Sequence, residues 1–282
     1  MEQKRIERLI AAVVENRDKL SYLHAREENG VYSYAGWVSN FGIYRVDDRE
    51  MTKPISLDLK TERGLFLLFV LASCWSRTGP FENASYFTLY IKDHWDSDIS
   101  SYTKAFIDEE RKNRENSVRT ILREYQDSAR KEVYFRPDFY DGVYVLSTEW
   151  EGIKEALRES EAEGDYTIFI RHIRDIEGLG GHGPRGKMRI KIPLLLRELA
   201  IAERYRGIPK EWCCVPDKRV LDACKELGIG FDFPDAKGHY PLRGIRRVDS
   251  QMQMILKESQ IIYSLFGEWY DIALFAYQDV ME

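Results

Sequence analysis

"IEGLGGHGPRGKMRIK", Ile176 to Lys191, holds five glycines, one proline and four cations, and Glu177 is its only acid. Helical patterns flank it: "YTIFIRHIRDI" before, and a longer segment from about Lys187 to Tyr205 after. Two helices joined by a glycine-rich turn can grip an anion. Glycine reaches positive φ, so successive N–H groups can point outward. The second helix adds its free N-terminal N–H groups and the positive end of its dipole. Together these form a site sized for phosphate. Pro184 suits a helix start, and Arg185, Lys187, Arg189 and Lys191 place four cations over the next two turns. Cations at a helix N-terminus are unfavourable to the helix itself, which implies an anionic partner. A nucleotide P-loop does not fit. Gly181 to Lys187 matches G-x-x-x-x-G-K, but Met188 stands where Ser or Thr would bind magnesium.

Outward from the turn, the chain reads as mostly α. Residues 1–25 form an amphipathic helix with Ile6, Leu9, Ile10, Val13, Val14 and Leu20 on one face. Residues 30–60, rich in Tyr, Trp, Gly and Val, form a small irregular or β segment. Gly64 to about Ser76 is an apolar, buried helix, and Asn83 to Trp95 is another. Residues 101–132 read as one long charged helix with a sparse inner face of Phe106, Ile107, Val118, Ile121, Leu122 and Tyr125. Its run "DEERKNRENSVRTILR" reads as a solvated face. Thr148 caps a helix reaching Glu163, with Glu151 three residues on as a capping box. A helix from Asp217, whose place after Pro216 also fits an N-cap, to Leu227 and one or two apolar helices over 249–280 complete the pass. Trp269 and Tyr270 belong to the core there. Arg197 interrupts the apolar "LLLREL" and is expected to be a buried charge paired with a carboxylate.

The 282 residues suffice for one large domain or two small ones. Composition is that of an ordinary soluble protein, 44% apolar, 13% aromatic and 32% charged. The longest apolar run, Leu65 to Trp75, is too short to cross a bilayer, and the N-terminus lacks signal-peptide anatomy. An intracellular location, cytoplasm or nucleoid, is the expectation. Net charge of −5 argues against wholesale polyanion binding but leaves room for a local basic surface. Cys74, Cys213, Cys214 and Cys224 form no CxxC pair, which points to free thiols and no metal site.

"LGGHGPRGK" resembles the hairpin L-P-G-V-G-x-x-T-A of the helix–hairpin–helix DNA glycosylase superfamily, with Gly181, His182 and Gly183 on its G-V-G. In that family a helix follows, and then V-D-x-H-V opens another helix with its catalytic Asp. Here "CVPDKRVLDACKELGI" follows, with Asp217 before "KRV". Upstream, "LFLLFVLASCWSRTGPFENASYFTLYI" is similar to the family's early buried helix, polar turn and next helix. The three elements run in family order over residues 64–230. The chain departs from the pattern in four places. The interval from Arg185 to Asp217 is long, as it is in an archaeal 8-oxoguanine branch. Arg185 occupies the position of the bifunctional members' lysine, and an arginine cannot form a Schiff base. Gly186 replaces the usual threonine, and the cysteine set of some members is missing.

The resemblance implies two α-helical subdomains flanking a cleft. One is made of 1–60 with 231–282, and the other is a barrel-like 61–230 carrying the hairpin 176–191. It implies a base-excision DNA glycosylase acting as a monomer on double-stranded DNA, without cofactor, metal or membrane. A glycosylase flips the target nucleotide out of the stack, and a fixed carboxylate beside C1′ stabilises the charge that builds on the sugar. Asp217 is the implied catalytic carboxylate, and Lys187 the candidate lyase nucleophile. Gly181, His182, Gly183, Arg185, Lys187 and Arg189 are the implied DNA contacts. Trp37, Phe41, Tyr44 and Trp75 are candidates to stack on a flipped base. The alternatives are a helix–hairpin–helix protein that binds DNA without chemistry, and a superfamily member that modifies a base instead of removing it.

Overall fold

The structure is a computed structural model. It describes residues 2–16, 26–28, 31–33, 57–74, 81–124, 133–180, 188–201, 205–229 and 248–281. Among these the chain is mostly helical, in agreement with the class read from the sequence. The helices are α1 (Glu2–Glu15), α2 (Glu62–Cys74), α3 (Phe81–His94), α4 (Lys104–Lys112), α5 (Arg114–Glu124), α6 (Pro137–Glu163), α7 (Thr167–Arg174), α8 (Met188–Ile201), α9 (Lys218–Leu227), α10 (Val248–Phe266) and α11 (Ile272–Met281). Two short strands, β1 (Arg26–Glu28) and β2 (Val31–Ser33), pair antiparallel with Arg26 opposite Ser33. β2 falls at the start of the irregular or β segment expected over residues 30–60, β1 lies ahead of it, and residues 34–56 lie outside the described residues.

The core is built on α2. No polar position interrupts Leu65 to Ala72, so no face of this helix suits water, and every residue from Gly64 to Cys74 is buried. It packs on α3, α6 and α8. Trp150 of α6 seats its ring edge-on against Phe66 and Phe69, at centroid distances of 5.2 and 5.7 Å. Its indole N–H donates to Glu62 at 2.9 Å, so the polar end of the ring is satisfied. Each such large apolar side chain contributes about 1.5–3 kcal/mol by leaving water.

The helices fall into two groups. α2 to α7 pack among themselves; α1, α9 and α11 pack together, and α10 packs on the 3-10 turn Lys210–Trp212. α8 belongs to both, touching α2 and α7 on one side and α10 and that turn on the other. α1 meets α9 and α11 through the buried face of Ile6, Leu9 and Val13 that its spacing predicted.

Two local readings are corrected. The long helix expected over 101–132 is broken at Asn113, where α4 ends and α5 begins. The Asn113 N–H closes α4 on Glu109 and Glu110, while its carbonyl accepts from Asn116 and Ser117 to open α5. Asn suits such junctions because its short amide competes with helical pairing. Ile107 and Ile121 are buried, Phe106, Val118 and Leu122 partly so, and Tyr125 lies outside the described residues. Thr148 is not a cap. α6 starts eleven residues earlier at Pro137 and runs 27 residues, and the Thr148 hydroxyl donates to the Val145 carbonyl at 2.8 Å in mid-helix. Pro137 at the first helical position sets the start by its fixed φ, a signal stronger than the Thr148–Glu151 spacing. Trp269 and Tyr270 lie at the turn between α10 and α11, with Tyr270 buried and Trp269 partly so.

Candidate functional site

The turn after α7 is described as far as Gly180. The Leu179 and Gly180 N–H groups both donate to the Ile176 carbonyl, at 3.2 and 3.1 Å. Gly178 adopts a φ of +89°, which only glycine takes without strain. A Cβ at Gly180 would sit 1.6 Å from the Arg174 carbonyl oxygen. These two glycines therefore serve the turn itself, by crossing tightly over the end of α7. The Leu179 and Gly180 N–H groups are thus spent within the turn, and the stretch from Gly181 to Lys187 lies outside the described residues.

Lys191 is corrected as well. Read as one of four cations facing an anion, it is wholly buried. Its ammonium donates to the Ser73 carbonyl at 2.8 Å and the Gly178 carbonyl at 2.5 Å. It ties the end of α2 and the turn to α8, at a point where the last carbonyls of α2 lack helical partners. Arg189 falls in the first turn of α8, and its side chain lies outside the described residues. Gly181, His182, Gly183, Arg185 and Lys187 lie outside them too, as do Trp37, Phe41, Tyr44 and Trp75.

Asp217 is described in full. It sits immediately before α9 in extended backbone, and its carboxylate accepts the Val220 N–H at 2.9 Å. That is the N-cap the sequence suggested. The side chain is half-buried, and opposing influences set its proton affinity. Burial pushes the carboxyl above its ordinary range. The Val220 N–H opposes this by binding the charged form, and the nearby Asp271 carboxylate adds to the upward push. The smallest of them is a downward pull from the Arg219 N–H and guanidinium.

Asp271 is the residue the sequence reading missed. It immediately precedes α11, the neighbour of α9, so two aspartates stand at the N-terminal ends of two packed helices. Asp271 Oδ1 accepts from the Arg197 guanidinium at 2.8 Å and from the Val215 N–H at 2.9 Å. Arg197 is thus the buried cation paired with a carboxylate that "LLLREL" predicted. Burial alone would lower the Arg197 pKa, but the Asp271 and Glu198 carboxylates more than offset it, so the guanidinium remains charged. For Asp271, burial pushes up while Arg197 and the Val215 N–H pull down. The legible signal was an acid, Asp271, set between "GEWY" and the apolar "IALFAY".

The segment between these charges is clamped. The Cys214 N–H donates to Ser259 Oγ of α10 at 2.8 Å, Val215 is held by Asp271, and the Asp217 N–H folds back on the Val215 carbonyl at 2.9 Å. Arg219, one helical position from the cap, is engaged by α11: it pairs with Asp279 and lies 4.7 Å over the Phe275 ring. Cys213, Cys214 and Cys224 are free and buried, and burial pushes the Cys213 and Cys224 thiols up to about 12. They are neutral thiols, poor as nucleophiles or metal ligands.

A separate open groove of about 530 Å³ lies between α5 and the start of α6, lined by Arg114, Arg119, Tyr134 and Phe135 among others. Part of the mixed-charge run thus walls a groove. No described helix is long and apolar enough to cross a membrane. Comparison with protein-family models, curated proteins and solved structures returned no match.

Chemically, a half-buried carboxylate at a helix N-terminus, beside a second carboxyl with a buried counter-cation, can stabilise a positive charge that develops in front of it. It can also take up a proton.

Proposed function

We propose that this chain is a helix–hairpin–helix DNA glycosylase that flips a damaged or modified base from double-stranded DNA and releases it. Asp217 is the carboxylate that faces the sugar, and Lys187 is the candidate for a following lyase step. The observation that carries the reading is Asp217 itself: a half-buried carboxylate opening α9, in chain order after a glycine turn and α8. Such a group stabilises an oxocarbenium-like sugar while its own helix fixes its direction. The DNA grip is assigned to Gly181, His182, Gly183, Arg185, Lys187 and Arg189.

The non-catalytic DNA-binding reading has one observation in its favour: capping α9 already gives Asp217 a structural reason to be there. A single panel separates the two. Labelled duplexes carrying 8-oxoguanine, uracil, hypoxanthine, alkylated bases or mismatches are scored for strand nicking with and without alkali. The glycosylase predicts nicking of at least one duplex, with alkali for base release alone and without it where the lyase step follows. Salt-sensitive binding with no base release from any duplex would leave only the binder. Borohydride trapping of a covalent adduct, lost in Lys187→Gln, is the expected sign of lyase chemistry.

A further inference from the structure

We propose that the buried Arg197–Asp271 pair is the positioning element for Asp217, holding the Cys213–Asp217 segment through the Val215 N–H and setting a second carboxyl beside the first. The proposal rests on the reading of Asp217 as the reacting carboxylate.

The geometry is continuous. α8 delivers Arg197 and the turn before α11 delivers Asp271, and they meet at 2.8 Å with both side chains buried. The same Asp271 oxygen that takes the guanidinium also takes the Val215 N–H, two residues from Asp217. α10 adds the Ser259 bond to Cys214. The backbone that ends in Asp217 is therefore pinned by Ser259 of α10 and by Asp271 ahead of α11, with Arg197 of α8 acting through Asp271. Tyr270, directly before Asp271, has a φ of +51° and is the only non-glycine residue with positive φ among the described ones. A left-handed tyrosine persists only where its surroundings impose it, and here it directly precedes the Asp271 that Arg197 and the Val215 N–H hold.

A cap alone does not need this arrangement, because α9 would be capped by Asp217 wherever the preceding segment ran. Pinning that segment to a buried ion pair fixes where the carboxylate points. It also makes its charge answer to Asp271. The charged groups facing Asp217 are Arg219 on its own helix and Asp271 from α11, with Arg197 behind Asp271 and Asp279 tied to Arg219.

The test is Asp271→Asn, which keeps an acceptor for Val215 and Arg197 but removes the negative charge. Two readouts are taken on the full chain: the Asp217 carboxyl titration by carbon NMR, assigned with Asp217→Asn, and the pH profile of base release on the panel duplex that the wild type nicks fastest. The expected result is a downward shift of the Asp217 midpoint by about one pH unit, with the acid limb of the profile moving alongside it. An unmoved midpoint, or a profile that changes in height only, would overturn the coupling. If the wild type releases no base, the glycosylase reading falls, while the NMR titration still decides whether Asp271 governs Asp217. Should Asp271→Asn fail to fold, Ser259→Ala tests the clamp without touching a charge. A fall in kcat of about tenfold with KM and the acid limb in place supports it, and an unchanged kcat contradicts it.

Discussion

Lys191 and Arg197 lie six residues apart on α8, and both are withdrawn from water, at 0% and 1% exposure. Their partners differ. Lys191 donates to the neutral carbonyls of Ser73 and Gly178. Arg197 meets the Asp271 carboxylate. One end of α8 is thus fastened to α2 and the glycine turn, the other through Asp271 to the segment before Asp217. Carbonyls at a helix end need donors and tolerate their loss moderately. A buried carboxylate without its cation is left with an uncompensated charge. The lysine end is a fastening and the arginine end an electrostatic commitment.

The comparison can be broken by substitution. Arg197→Leu is expected to cost the most, about 3–5 kcal/mol in denaturant unfolding, because Asp271 stays buried and unpaired. The double variant Arg197→Leu with Asp271→Leu should recover much of that loss, and no recovery would mean that the pair's cost lies in packing alone. Lys191→Met keeps the volume and removes the donors, so about 1–3 kcal/mol is expected. A larger loss than for Arg197→Leu would invert the comparison.

The smallest effects belong to Asp217. Asp217→Ala removes a cap and should cost about 1 kcal/mol, whereas Asn caps as well as Asp. The pH dependence has a definite sign. Burial holds the Asp217 carboxyl above its ordinary value, so the folded chain binds that proton more tightly than the unfolded chain. Its contribution to stability is present at low pH and is withdrawn as pH rises from about 4 through the folded value. Asp217→Asn should therefore gain in Tm relative to the wild type between pH 4 and pH 7. A Tm difference that stays constant across this range would contradict the shift.

Much of this was legible in the sequence. An apolar run without a polar face had to be buried, and α2 is. The Asp217 cap and the paired Arg197 followed from polarity set against periodicity. The failures have physical causes too. Lys191 was counted by charge, yet its place on the inner face of α8 decides where the ammonium goes. Gly178 and Gly180 were not told apart from the other glycines of the stretch because composition cannot separate a glycine that frees an N–H from one that admits a crossing chain. Asp271 was passed over because its partner lies 74 residues away along the chain. Asn113 broke a helix whose charge pattern gave no sign of an end.

The central claim is that the carboxylate of Asp217 performs base release and is not merely a cap. The direct measurement compares single-turnover base release by the wild type and Asp217→Asn on the same lesion duplexes, with DNA affinity measured alongside. The wild type is expected to release a base and Asp217→Asn not to, while the two bind DNA with nearly equal affinity. Equal release by the variant would contradict it.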